Sequence, residues 1–171
     1  MVSDARKAAV DPIAEARRQW EAHGMGTTAE AMAAITSVFR AQQIYLNRID
    51  RALRPLGLTF ARYEVLMLLV FSRRGTLPLG ILGSRLQVHP TSVTNAVDRL
   101  EAQGLIRRVP HPTDRRTTLA ELLDEGRERA EEASKVVCAI FADPGLDPAD
   151  LGLLFEVLAR LRASAGDFEA W

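Results

Sequence analysis

The sequence predicts a mainly α-helical domain that carries one small β-hairpin. Three observations predict it. Apolar residues recur at helical spacing over most of the 171 residues. The period falls to two over one stretch only, around residues 105–122. Pro, Gly and Asp stand where helices should start and stop, and the length suits a single core.

Asp11 and Pro12 open the first helix with an acidic cap and a proline in the first turn. Ile13, Ala16 and Trp20 follow at i, i+3 and i+7 until Gly24 and Gly26 stop it. Thr27 to Glu30 has capping-box spacing, so the second helix is expected to begin there. Met32, Ile35, Val38, Tyr45, Ile49 and Leu53 keep its period until Pro55 and Gly57, a run of about 28 residues and roughly 42 Å. Thr59 is expected to cap a third helix, apolar nearly all round from Tyr63 to Phe71 and therefore buried. Gly75 ends that run, and Pro78 starts a short helix with Leu79, Ile81, Leu82 and Leu86. After a tight break at Gln87, Val88 and His89, Pro90 begins another helix. Its Val93, Val97 and Leu100 share one face, leaving Thr91, Ser92, Thr94, Asn95 and Arg99 free to face outward. Gly104 suits the position after its end.

Residues 105–109 and 117–122 then read as two strands. The loop between them holds Pro110, His111, Pro112, Thr113, Asp114 and the pair Arg115 and Arg116. Of Arg107 and Arg108, alternation sends one to solvent and the other against the body. Asp124 is expected to cap a helix running to about Phe141, with Ala130, Ala133, Val137 and Ile140 on one side. Asp147 and Pro148 start the last, amphipathic helix through Leu151, Leu154, Leu158 and Leu161.

The 22 Lys+Arg balance the 22 Asp+Glu, yet charge is sorted along the chain. Residues 59–118 carry nine basic and four acidic side chains, whereas residues 119–171 carry five and twelve. Twenty of the basic residues are Arg, the better side chain for bidentate phosphate and base contacts; a GC-rich genome gives the same bias. The single Cys138 excludes a disulfide framework and reads as a small core or interface residue. No Cys/His cluster has metal-ligand spacing, and no cofactor is expected. No apolar run approaches the ~20 residues of a membrane span, and the first ten residues are polar, so a cytoplasmic protein with no membrane partner is expected. The sequence offers no nucleophile–base pair and no Gly-rich phosphate loop, which sets an enzyme aside.

Two short helices joined by a tight turn, followed by a hairpin with a basic tip, form a winged helix-turn-helix pattern. Small polar residues at the N-terminal end of the second helix suit base edges in a major groove, and the exposed N–H groups there favour a phosphate. Arg115 and Arg116 could enter an adjacent minor groove.

The run from Leu86 to Ile106, followed by Pro112, Thr113, Asp114, Arg115 and Arg116, resembles the MarR family of bacterial transcription regulators. Asp114 and Arg116 match the Asp-x-Arg of that family's wing. The resemblance spans about residues 28–165. It implies one domain over residues 1–171, with 11–58 and 124–165 as a helical dimerisation region and 59–122 as the DNA-binding lobe. It also implies a homodimeric regulator, a repressor, that binds a pseudo-palindromic double-stranded operator. The DNA contacts then fall to His89, Pro90, Thr91, Ser92, Thr94, Asn95, Arg99, Arg115 and Arg116, with Asp98 and Asp114 supporting the wing. A pair between Asp98 and Arg116 is expected to set the wing's angle. His89 departs from the Ser or Thr that usually precedes this proline, so the cap is weakened or replaced by an imidazole contact.

A small-molecule effector is a further implication. Relatives that respond to urate or similar anions have an extra N-terminal helix with a Trp, which the stretch carrying Trp20, Arg17 and Arg18 resembles; the same helix could instead brace a dimer. The family's effector crevice suggests Tyr45, Arg48, Arg62 and Trp20 as ligand contacts, fit for a planar anion. The competing reading is a winged-helix protein-interaction module that binds no DNA.

Overall fold

The computed structural model describes residues 10–114 and 116–168. Seven α-helices and three short strands follow in the order α1 (Pro12–Ala22), α2 (Gly26–Leu53), α3 (Phe60–Phe71), β1 (Thr76–Pro78), α4 (Leu79–Leu86), α5 (Pro90–Ala102), β2 (Ile106–Pro110), β3 (Thr118–Leu122), α6 (Asp124–Ala142) and α7 (Pro148–Ser164). The expected architecture, helices with a small hairpin, is what the chain forms.

The capping chemistry agrees at some ends and differs at others. Asp11 accepts the Ile13 N–H at 2.9 Å, and Asp147 accepts that of Asp150 at 2.9 Å. The capping box at Thr27 does not form: α2 starts at Gly26, with Thr27 already helical. The cause is a tight join, in which left-handed Gly24 (φ +81°) turns the chain and the Met25 N–H donates to the Trp20 carbonyl, ending one helix as the next begins. Thr59 sits at the head of α3 without capping it. Asp50 of α2 reaches across to accept the Phe60 N–H at 2.7 Å, and the Thr59 hydroxyl accepts from Arg62 Nε instead. Asp124 lies inside α6, after Leu123, so it serves as a first-turn acid.

The core sits where α3 meets α5, the sheet and α6. Leu53, Val65, Leu66, Leu69, Leu82, Val97, Leu100 and Ile106 are fully buried, joined from below by Ala130, Ala133 and Val137 of α6. Each large aliphatic side chain buried this way stabilises by about 1.5–3 kcal/mol before chain entropy is counted. The near-continuous apolar character of α3 is thus explained, although Phe71 at its end faces solvent.

The sheet has three strands, not two. β1 pairs antiparallel with β3 (Thr76 opposite Glu121, Pro78 opposite Leu119), on the side of β3 away from β2. Pro78 therefore closes a strand before α4 begins at Leu79. A three-residue strand has too little alternation to stand out beside its flanking turn residues. Gly126 lies against β2's start so closely that an added Cβ would meet the Leu105 carbonyl oxygen at 2.0 Å.

Of the two places expected for Cys138, core or interface, the core is excluded. The residue is exposed on α6, turned away from the face that buries Val137 and Ile140. The exposed remainder of the molecule is unusually apolar along α7, none of whose residues is buried, and along the middle of α2.

Candidate nucleic-acid interface

α4 and α5 meet at a turn built on Gln87, whose φ of +53° is the only left-handed value at a non-glycine among the described residues. The turn delivers His89 to the cap position of α5. Its Nδ1 accepts the Thr91 N–H at 3.2 Å, so an imidazole replaces the usual hydroxyl cap. Val93, Val97 and Leu100 bury one face of α5 and thereby fix its rotation. Thr91, Ser92, Thr94, Asn95 and Arg99 are all exposed on the opposite side, with His89 and Pro90 exposed at its head. The Thr94 hydroxyl donates to the Pro90 carbonyl at 3.1 Å, which leaves its lone pairs and methyl group outward-available.

Hydrogen bonds organise the hairpin tip. Asp114 Oδ1 accepts the Arg116 N–H at 3.0 Å, and Oδ2 accepts the Thr117 hydroxyl at 2.6 Å. These donors, the Thr117 hydroxyl first, hold the Asp114 carboxyl below the usual carboxylate range against a small opposing effect of burial. His111 Nδ1 accepts the Asp114 N–H at 3.2 Å, and the His111 N–H donates to the Thr117 carbonyl. Arg116 is left exposed at the tip, and Arg115 lies outside the described residues. Asp114 thus ties together the backbone and side chains at positions 116 and 117.

The expected pairing of Asp98 with Arg116 is not what the structure contains. Asp98 Oδ1 is 2.5 Å from Nη2 of Arg108, on β2. Glu101, one turn further along α5, pairs with the same guanidinium and also accepts the Arg108 N–H at 2.8 Å. Burial of Arg108 opposes its charge, but the two carboxylates outweigh it and raise its pKa above the ordinary guanidinium value. Arg108 therefore joins α5 to β2, while the neighbouring Arg107 points out to pair with Glu121 at 2.6 Å. Of the two arginines that alternation separates, Arg108 is thus the one turned against the body; that it meets Asp98 and Glu101 there depends on the register of a strand against a helix, which the sequence does not state.

The proposed ligand contacts do not converge. Tyr45 donates its hydroxyl proton to the Pro144 carbonyl at 2.7 Å, and Arg48 donates to the Asp143 carbonyl at 2.9 Å. Both side chains are therefore spent on the α6–α7 turn. Trp20 is half-buried where α1 packs on α2. Arg62 lies elsewhere, lining an open cleft of about 670 Å³ with Thr59, Ser92, Asn95, Arg99 and Gln103. At the edge of that cleft, the Gly57 carbonyl accepts from both Arg62 Nη1 and Gln103 Nε2 at 3.0 Å. The Leu56 carbonyl accepts from Arg129 of α6 at 2.6 Å. Among the described residues, no group of three or more His, Cys, Asp or Glu could hold a metal ion, and no helix is long and apolar enough to cross a membrane.

Comparison with known proteins places this geometry among relatives. Residues 58–118 match the model of the MarR family. The chain is 49% identical to Sco5413, a MarR family transcriptional regulator from Streptomyces coelicolor, with a TM-score of 0.75 over 82% of this chain and 99% of that one. It is 29% identical to Sco3205 from the same organism, a MarR family regulator solved in complex with DNA (TM-score 0.70, covering 80% and 88%). It is 26% identical to CouR from Rhodococcus jostii RHA1, solved bound to p-coumaroyl-CoA (TM-score 0.63, covering 78% and 91%).

Proposed function

The chain belongs to the MarR family of transcriptional regulators, and on that premise we propose that it is a homodimeric repressor released from its operator by a small anionic aromatic ligand. The observation that carries the DNA contacts is the exposed row Thr91, Ser92, Thr94, Asn95 and Arg99 beside a hairpin tipped by Arg116. In a groove, the hydroxyls and the Asn95 amide read base edges, while Arg99 and Arg116 neutralise phosphate and backbone N–H groups donate hydrogen bonds to it. Phosphate contacts supply most of the affinity, and base contacts supply the choice of site.

Pairing of two chains is supported by the apolar surface left uncovered on α7 and α2. Leu153 is 59% exposed, Phe155 68% and Phe39 59%. Exposed apolar surface on this scale marks a contact face. We assign residues 11–58 and 124–165 to pairing and residues 59–122 to DNA. Two reading helices then address successive major grooves of a symmetric site.

For the ligand, we favour the open cleft over the region of Tyr45 and Arg48, because two guanidinium groups, Arg62 and Arg99, line that one space. An anion between these guanidinium groups occupies the same side chains that DNA requires, so it favours the unbound regulator.

Selection of bound fragments from genomic DNA, followed by mobility shift at physiological salt, tests the reading. A discrete symmetric site, bound by two chains, is expected. Absence of binding to every fragment would overturn it in favour of a protein-interaction module.

A further inference from the structure

The last described residues fold back onto the turn of the helix-turn-helix. Gln87 Nε2 donates to the Asp167 carboxylate at 2.8 Å, with the Asp167 carbonyl also within 3.5 Å. The partner is not a loose end. After α7 the chain turns through left-handed Gly166 (φ +73°), and the Asp167 N–H donates to the Arg162 carbonyl at 3.0 Å. Arg162 Nη1 stands 3.8 Å from the Asp167 carboxylate, and its guanidinium lies over the Phe168 ring at 5.1 Å. Residues 162–168 therefore form a small closed unit that presents one carboxylate to one side chain.

A second, independent observation concerns the residue that receives it. A left-handed turn residue is ordinarily Gly, or Asn, because a Cβ is strained there. Gln87 accepts that strain at φ +53°. What a glutamine adds is an amide donor, and in this structure that donor is spent on Asp167. Gln87 also borders the same cleft as Pro90, Val93 and Thr94 of α5, so its amide lies beside the surface assigned to DNA.

We propose that Asp167 is a built-in stand-in for a DNA phosphate. It occupies the Gln87 amide in the free protein and must yield it to the backbone of the operator. A carboxylate and a phosphodiester offer the same thing to an amide donor, an anionic oxygen. The contact also connects α7, whose apolar side is assigned to pairing, to the reading head: the position of α7 decides how firmly the carboxylate is held in place. The inhibitory consequence rests on the DNA-binding reading, whereas the contact itself does not.

Two measurements on the full chain test it. In the first, anisotropy of a labelled duplex selected by the wild-type protein is followed for Asp167→Ala, Asp167→Asn and Gln87→Gly. Asp167→Ala is expected to tighten binding by about three- to fivefold, the size of one exposed charge contact. Asp167→Asn, which keeps an acceptor but no charge, should tighten it less. Gln87→Gly, lacking the donor for either anion, should not tighten it. In the second, amide hydrogen exchange of DNA-free protein should quicken at residues 162–168 in Gln87→Gly. Unchanged or weaker DNA binding by Asp167→Ala, where the wild type binds well, overturns the competition. Unchanged exchange in Gln87→Gly overturns the contact. Failure of wild-type protein to bind any duplex overturns the DNA reading and the inhibitory role with it, and leaves the exchange result to judge the contact.

Discussion

Asp98 of α5 and Arg108 of β2 are bound to each other, 2.5 Å apart, with Glu101 sharing the same guanidinium. The wing is thus moored at its root, while Arg116 stands exposed at its tip. The mooring should behave as one unit. Arg108→Met is expected to cost about 1 kcal/mol of stability, because the group is partly solvated, and to weaken DNA binding. Combining it with Asp98→Ala should cost less than the two single changes together. Strict additivity in denaturant titrations would show that the carboxylates act independently.

Asn95 and Arg116 are expected to fail in different ways. Arg116→Ala should weaken binding to every duplex and reduce the slope of log affinity against log salt by about one. Asn95→Ala should leave that slope intact and relax preference among operator variants by about 1–3 kcal/mol at the base it reads. A titration series across salt and sequence separates the two.

Asp114 carries a pH dependence. Its carboxyl is held below the ordinary range by the Thr117 hydroxyl and the Arg116 N–H, so its folded pKa lies under its unfolded one. The resulting order of the wing tip is fully present above the unfolded value, about 3.9. It is lost as pH falls through the lower folded value. Asp114→Asn should mimic that loss at neutral pH, seen as faster amide exchange at Arg116 and Thr117.

Phe155→Glu is expected to convert paired chains to single ones at micromolar concentration in sedimentation experiments, since the ring is 68% exposed on the bare side of α7. The fold of residues 59–122 should survive it.

Gly126→Ala should be among the most damaging single changes, costing about 3 kcal/mol or more. The new methyl would overlap the Leu105 carbonyl oxygen, a backbone atom that cannot swing away. Thermal unfolding measures it directly.

Most of the helical frame was legible because the apolar period and the Pro and Gly punctuation are local signals. Val93, Val97 and Leu100 announced the buried side of α5, and with it the exposed row opposite. What stayed illegible depends on distant parts of the chain meeting. β1 needs β3 to exist as a strand at all. Asp50 caps α3 from another helix, which no spacing rule at Thr59 could foresee. Arg108 and Asp98 sit ten positions apart, across a helix end and a glycine turn, so their contact appears only once strand and helix are docked. Tyr45 and Arg48 show the same dependence: both bond to the turn at Asp143 and Pro144, a meeting that no local spacing announces.

The carbonyls of Leu56 and Gly57 are gripped by Arg129 of α6, Arg62 of α3 and Gln103, the residue that follows α5. A joint fastened on so many sides cannot serve as a loose elbow. Were α2 displaced, these bonds would carry the movement to the C-terminal end of α5, where Gln103 follows, and to α6 through Arg129.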